Sequence, residues 1–73
     1  MPDVRMDRHA NLNAARLHEL LASRASAQEQ NDKAAKLYHI AAMEYARAGE
    51  PFLPESVHCE EMGEIYGYWA SVK

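Results

Sequence analysis

From Asp3 to Ala48 the chain contains neither glycine nor proline. Nothing constrains its fold more. The span is rich in Ala, Leu, Arg, Glu, Gln and Lys, all good helix formers. It ends at Gly49-Glu-Pro-Phe-Leu-Pro54, where two prolines and a glycine within six residues break any helix. A second helical pattern then runs to the C-terminus. No stretch alternates apolar and polar residues for long enough to suggest a strand. The expected class is all-α.

The long span divides at Gln28-Glu-Gln-Asn-Asp32, a wholly polar run that interrupts the apolar stripe. Asn31 and Asp32 are both good N-caps, because their short side chains accept bonds from the free amides of a first turn. One isolated helix of roughly 40 residues would also have too little apolar surface to hold it. We therefore expect two helices with a turn near 27–31. The competing reading is a continuous helix, or a start at the capping box Ser26-x-x-Glu29.

Helix A is expected from about Arg8 to Ala25, with Leu12, Ala14, Leu17, Leu20 and Leu21 as its buried stripe. Helix B is expected from about Asp32 to Ala48. Its inward positions are Ala34, Leu37, Tyr38, Ala41, Tyr45 and Ala48, with Lys33, Lys36, Glu44 and Arg47 outward. Gly49 supplies the positive-φ residue that commonly ends a helix. Helix C is expected from about Pro54 to Ser71, since proline suits a first helical turn and Glu55 complements the helix dipole. Its apolar seam reads His58, Met62, Ile65, Trp69 and Val72, widened by Tyr66. Together these make a small three-helix bundle: a hairpin over residues 8–48 plus a C-terminal helix over 54–71. Residues 1–7 are expected to be a flexible N-terminal segment of this single domain.

The run Asp32-Lys-Ala-Ala-Lys-Leu-Tyr38-His-Ile-Ala41 resembles the second helix of a tetratricopeptide repeat, with Ala34, Tyr38 and Ala41 on its small-aromatic-small positions. Carried backwards, Leu21 falls on that family's leucine, Ala22 replaces its glycine and His18 its tryptophan. The likeness spans residues 18–48, and no second repeat follows. The same residues are similar to the microtubule-interacting-and-trafficking domain, a three-helix unit with an Ala-x-x-Leu-Tyr pattern in its middle helix. Either resemblance implies a helical hairpin that binds a peptide or helix in a groove.

Size bears on partners. A chain of 73 residues has little core to spare. The lone Cys59 excludes an intramolecular disulfide, which suits a reducing compartment. The N-terminus lacks the apolar run of a signal peptide, and no stretch approaches the roughly 18 apolar residues of a membrane span. The expected location is the cytoplasm.

The net charge of −3 is concentrated at the end: residues 51–73 hold Glu55, Glu60, Glu61 and Glu64 against Lys73. No basic stripe is present, which argues against nucleic acid as a ligand.

No catalytic constellation, phosphate loop or nucleophile elbow is present. His58 and Cys59 are adjacent, so on a helix they point about 100° apart and cannot chelate one ion well. Metal sites usually need three or four ligands at recurring spacings. The expected role is therefore non-enzymatic, with no cofactor or metal.

What remains is surface. Cys59, Gly63 and Gly67 recur every four residues, with Ala70 and Ser71 continuing a smooth ridge. Each glycine costs about 1 kcal/mol against alanine in a helix interior. Close approach of another backbone would offset that cost; alternatively Gly67 ends the helix early. Taking the ridge reading, with Tyr68 as an exposed aromatic and Glu60 and Glu64 as its acidic border, the expected protein interface is Cys59, Glu60, Gly63, Glu64, Gly67, Tyr68 and Ser71. The expected function is a small regulator or inhibitor that occludes a larger protein, with a homodimer or a hetero-complex as its working state. The alternatives are an obligate homo-oligomeric subunit, or a small-ligand binder at an oligomer interface.

Overall fold

The structure, a computed structural model, describes the backbone of residues 4–72 and the side chains of residues 8–72. Helix α1 spans Val4–Ala27, α2 Asn31–Ala48 and α3 Leu53–Ser71, with one 3₁₀ turn at Glu50–Phe52. The fold is a small three-helix bundle. The backbone of the segment expected to be flexible is helical from Val4 onward; residues 1–3 lie outside the described residues.

The turn after α1 has a specific construction. The Gln30 amide donates to the Ala25 carbonyl at 2.8 Å and the Glu29 amide to the Ser26 carbonyl at 3.0 Å. This pair of bonds is the Schellman closure, which needs a left-handed residue just past the helix. Glu29 fills that place with φ 61°, where glycine is usual. The expected side-chain caps do not form: Gln30 precedes α2, and no side-chain cap bond is made there. Ser26 is likewise not a cap. It lies inside α1 and donates to the Tyr66 hydroxyl at 2.9 Å.

Gly49 ends α2 with φ 116°. Beside it, Arg8 Nε donates to the Ala48 carbonyl at 3.1 Å, satisfying an orphan acceptor at the helix end. The positive φ is what favours glycine here; a β-carbon on Gly49 would also lie 2.5 Å from the Arg8 guanidinium and displace it.

Both outer helices pack on α2. The pairs Arg8–Ala48 and Glu19–Tyr45 make α1 antiparallel to it, and Ser56–Ala42 and Gly67–Ala35 do the same for α3. The contact surfaces are small. Ala15, Ala22 and Ala25 of α1, and Ala34, Ala35, Ala41, Ala42 and Ala48 of α2, are buried, as are Ser56, Cys59 and Gly63 of α3. Seven-residue recurrence is evident in Ala15–Ala22, Ala34–Ala41–Ala48, Ala35–Ala42 and Ser56–Gly63–Ala70. Small residues at these positions let the helix axes come close.

Two tyrosines fill the wedge between α1 and α3. Tyr38 and Tyr45, seven residues apart on α2, are buried between the two alanine rows. Tyr38 stacks on Tyr66 with centroids 5.6 Å apart, and Tyr45 donates to Glu19 Oε1 at 2.7 Å. Leu12, Leu37, Phe52 and Met62 pack around this centre.

The expected facing of α1 and α3 is corrected. Leu17, Leu20 and Leu21 are exposed, and α1 buries Ala15, Ala22 and Ala25 instead. On α3, His58, Ile65, Trp69 and Val72 are exposed and only Met62 and Tyr66 of the expected seam are half-buried. The physical reason is close approach. A helix that presents Cys59, Gly63 and Gly67 to an alanine row nests deeper than one presenting isoleucine and tryptophan.

Candidate protein interface

The smooth ridge on α3 finds its neighbour within the chain. Cys59 and Gly63 are buried, and a β-carbon on Gly63 would stand 3.0 Å from the His39 ring of α2. A β-carbon on the half-buried Gly67 would meet the Ala35 methyl at 3.9 Å. Cys59 and Gly63 are therefore not part of any open surface. Gly67 also does not end the helix, which continues to Ser71. Of the seven residues expected at an interface, Glu60, Glu64, Tyr68 and Ser71 are exposed. The Ser71 hydroxyl donates to the Tyr68 carbonyl at 2.8 Å and so closes the helix end.

The open surface joins Tyr68, expected outside, to Ile65 and Trp69, expected inside. Trp69 is 61% exposed, Ile65 48% and Tyr68 68%. With Glu61 and Glu64 they line a shallow depression of about 440 Å³ on the outer side of α3. Trp69 and Ile65 also wall a second open groove of about 500 Å³, closed on the other side by Ser26, Glu29 and Asn31. Helix α3 contains no lysine or arginine, so this aromatic face carries only carboxylates as full charges.

A second exposed apolar face lies along the seam of α1 and α2. The bond between His18 Nδ1 and Glu44 Oε1, 2.6 Å, marks that seam. In antiparallel helices, one turn after His18 lies level with one turn before Glu44. Leu21 and Ile40 therefore sit side by side, both exposed, with Leu17 beside them on α1. The charges around them are Arg24, Lys33, Lys36 and Arg47, all exposed. Asp32 meets Lys36 at 3.5 Å, a solvated pair worth little. Glu44 is engaged by His18. The first face is aromatic and acidic; the second is aliphatic and basic.

The chemistry inside is structural. Burial, and then the negative charge of Glu19, push the Cys59 thiol up to about 11, so it stays protonated and unreactive at neutral pH. Burial and the bond to Glu19 likewise raise the Tyr45 hydroxyl, and burial with the nearby Tyr66 raises Tyr38. Among the described residues, no three His, Cys, Asp or Glu side chains come together as metal ligands, and no helix is long and apolar enough to cross a membrane.

No family model, curated protein or solved structure matches this chain.

The residues that sequence reasoning missed on the surface are Leu17, Leu21, Ile40, Ile65 and Trp69. A signal for them was present. The small residues recur every seven positions as regularly as the large ones recur by three and four, and two such stripes on one helix cannot both face its neighbour.

Proposed function

We propose that the protein is a non-enzymatic protein-interaction module whose binding surface is the outer face of α3. One observation carries this reading: Ile65, Tyr68 and Trp69 stand exposed on α3, while α3 presents its small residues Ser56, Cys59 and Gly63 to the core. Tryptophan and tyrosine are the residues that most often anchor protein interfaces. Contiguous exposed apolar groups rimmed by charge are the usual mark of a docking site. The likeness of residues 18–48 to helical hairpins that bind peptides points the same way. A small regulator that occludes a site on a larger protein is the form of this function we favour. A homo-oligomeric subunit is the second reading, favoured by the opposite charge of the two apolar faces.

The test is photocrosslinking from position 68, with Tyr68 replaced by p-benzoylphenylalanine, in extract of the cells that make the protein. A discrete adduct that disappears when Ile65→Glu is added supports an interface on α3. Absence of any adduct, or an adduct indifferent to Ile65→Glu, overturns it.

A further inference from the structure

We infer that one occupant of the acidic aromatic face is a second copy of this chain, seated by its basic aliphatic face in a head-to-tail contact. The inference rests on the reading of α3's outer face as an interface, and adds its partner and its geometry.

Three observations support it. Both faces expose large apolar side chains: Ile65, Tyr68 and Trp69 on one, Leu17, Leu21 and Ile40 on the other. Their charges are opposite. Glu61 and Glu64 border the first, while Arg24, Lys33, Lys36 and Arg47 border the second. Opposite potentials on facing patches steer encounter and fix register, and like charges facing each other disfavour the wrong pairing. Finally, the two faces lie on different parts of the bundle. One is the side of α3 turned away from α2; the other straddles the α1–α2 seam marked by His18 and Glu44. A chain cannot bring its own faces together, but two chains can.

Charge also selects between contact types. An isologous dimer pairs a patch with itself, which here would set carboxylates against carboxylates or cations against cations. A heterologous contact sets Glu61 and Glu64 against Lys33 and Lys36. Such a contact leaves one face of each kind free at the ends of any open assembly, so it propagates unless the rotation closes a ring.

The experiment uses the full chain and two variants in light scattering across a dilution series up to about 1 mM, a range that detects even weak pairing. One variant carries Ile65→Gln and Trp69→Gln; the other carries Leu17→Gln and Ile40→Gln. All four side chains are exposed, and circular dichroism verifies the helix content of both variants. The wild-type mass is expected to rise with concentration and to fall when salt is added. Each variant alone is expected to remain at the single-chain mass. Their equimolar mixture is expected to give twice that mass and nothing larger, because each supplies the one face the other lacks.

A wild type that stays single-chain throughout overturns the inference, as does a mixture that stays single-chain. A variant that alone forms a symmetric dimer also overturns it. In each of these cases a Tyr68 adduct with a different protein would leave the interaction-module reading standing. Absence of any Tyr68 adduct would remove that reading itself.

Discussion

The His39 ring of α2 lies over Gly63 of α3, 3.0 Å from where a β-carbon would be. The ring fills the space that Gly63 leaves open. His39 is exposed and its ring can swing aside, whereas the α2 backbone behind it cannot. Gly63→Leu is therefore expected to cost about 2–3 kcal/mol through overpacking. Gly63→Ala should cost little, its gain in helix propensity of about 1 kcal/mol being offset by displacement of the ring. Adding His39→Ala should release that gain. Urea unfolding of the four members of the cycle measures the coupling; tolerance of Gly63→Leu would falsify close approach at this site.

Gly67 is four residues on and behaves differently. Its added β-carbon would meet the Ala35 methyl at 3.9 Å, an ordinary van der Waals distance. Gly67→Ala should therefore stabilise by about 1 kcal/mol, which in a chain this short raises Tm by roughly 4–8 °C. A thermal melt followed at 222 nm decides it, and a lower Tm would show that α3 and α2 sit closer than described.

Glu29 closes α1 in a conformation that costs a side chain about 1–2 kcal/mol. Glu29→Gly should recover part of this, about 0.5–1 kcal/mol, less the added freedom of the unfolded chain. Gly49→Ala should do the reverse, since it meets both the positive φ and the Arg8 guanidinium. Opposite shifts in the urea midpoint at constant slope are the expected result.

Alkaline pH should unfold the protein early. Cys59 is raised from the ordinary thiol value to about 11. Tyr38 and Tyr45 are raised above the ordinary phenol value. A group whose protonated form is favoured in the folded state contributes fully below its unfolded pKa and loses that contribution as pH rises through the folded one. The contribution of these three groups is thus constant below about pH 8.5 and falls progressively above it. Cys59→Ala should flatten the decline between about pH 9 and 11. Denaturant titrations at stepped pH measure this; a decline unchanged in the variant would place the loss elsewhere.

The fold was legible because glycine and proline punctuate it. The helix end at Ala48, the helix start at Leu53 and the break before Asn31 follow from Gly49, Pro51, Pro54 and the polar run 28–32. The facing was not legible from apolar spacing. Leu17, Leu20 and Leu21 make a good amphipathic stripe, and so do Ile65, Trp69 and Val72, yet both stripes face outward. Transfer free energy favours burying large side chains, but it does not price how near two backbones can come. Where Ala15 and Ala22 face Ala34, Ala41 and Ala48, close contact along two helices competes with leucine burial and prevails. The turn itself was legible, but its closure at Glu29 was not, because a glutamate in the left-handed region leaves no mark in the sequence.

The alanine-lined core has a thermal consequence. The heat capacity of unfolding grows with the apolar surface that folding hides, and ordinary domains show about 12–15 cal/mol/K per residue. Here methyl groups fill the helix contacts while Leu17, Ile40, Ile65 and Trp69 are already wet in the native state. The single chain should fall below that range in calorimetry. Its stability curve would then be shallow, with a broad melt and cold unfolding displaced to lower temperature. Covering those side chains by association would return the value towards that of an ordinary domain. The calorimetric signature of this protein should therefore depend on its concentration, steepening as copies meet.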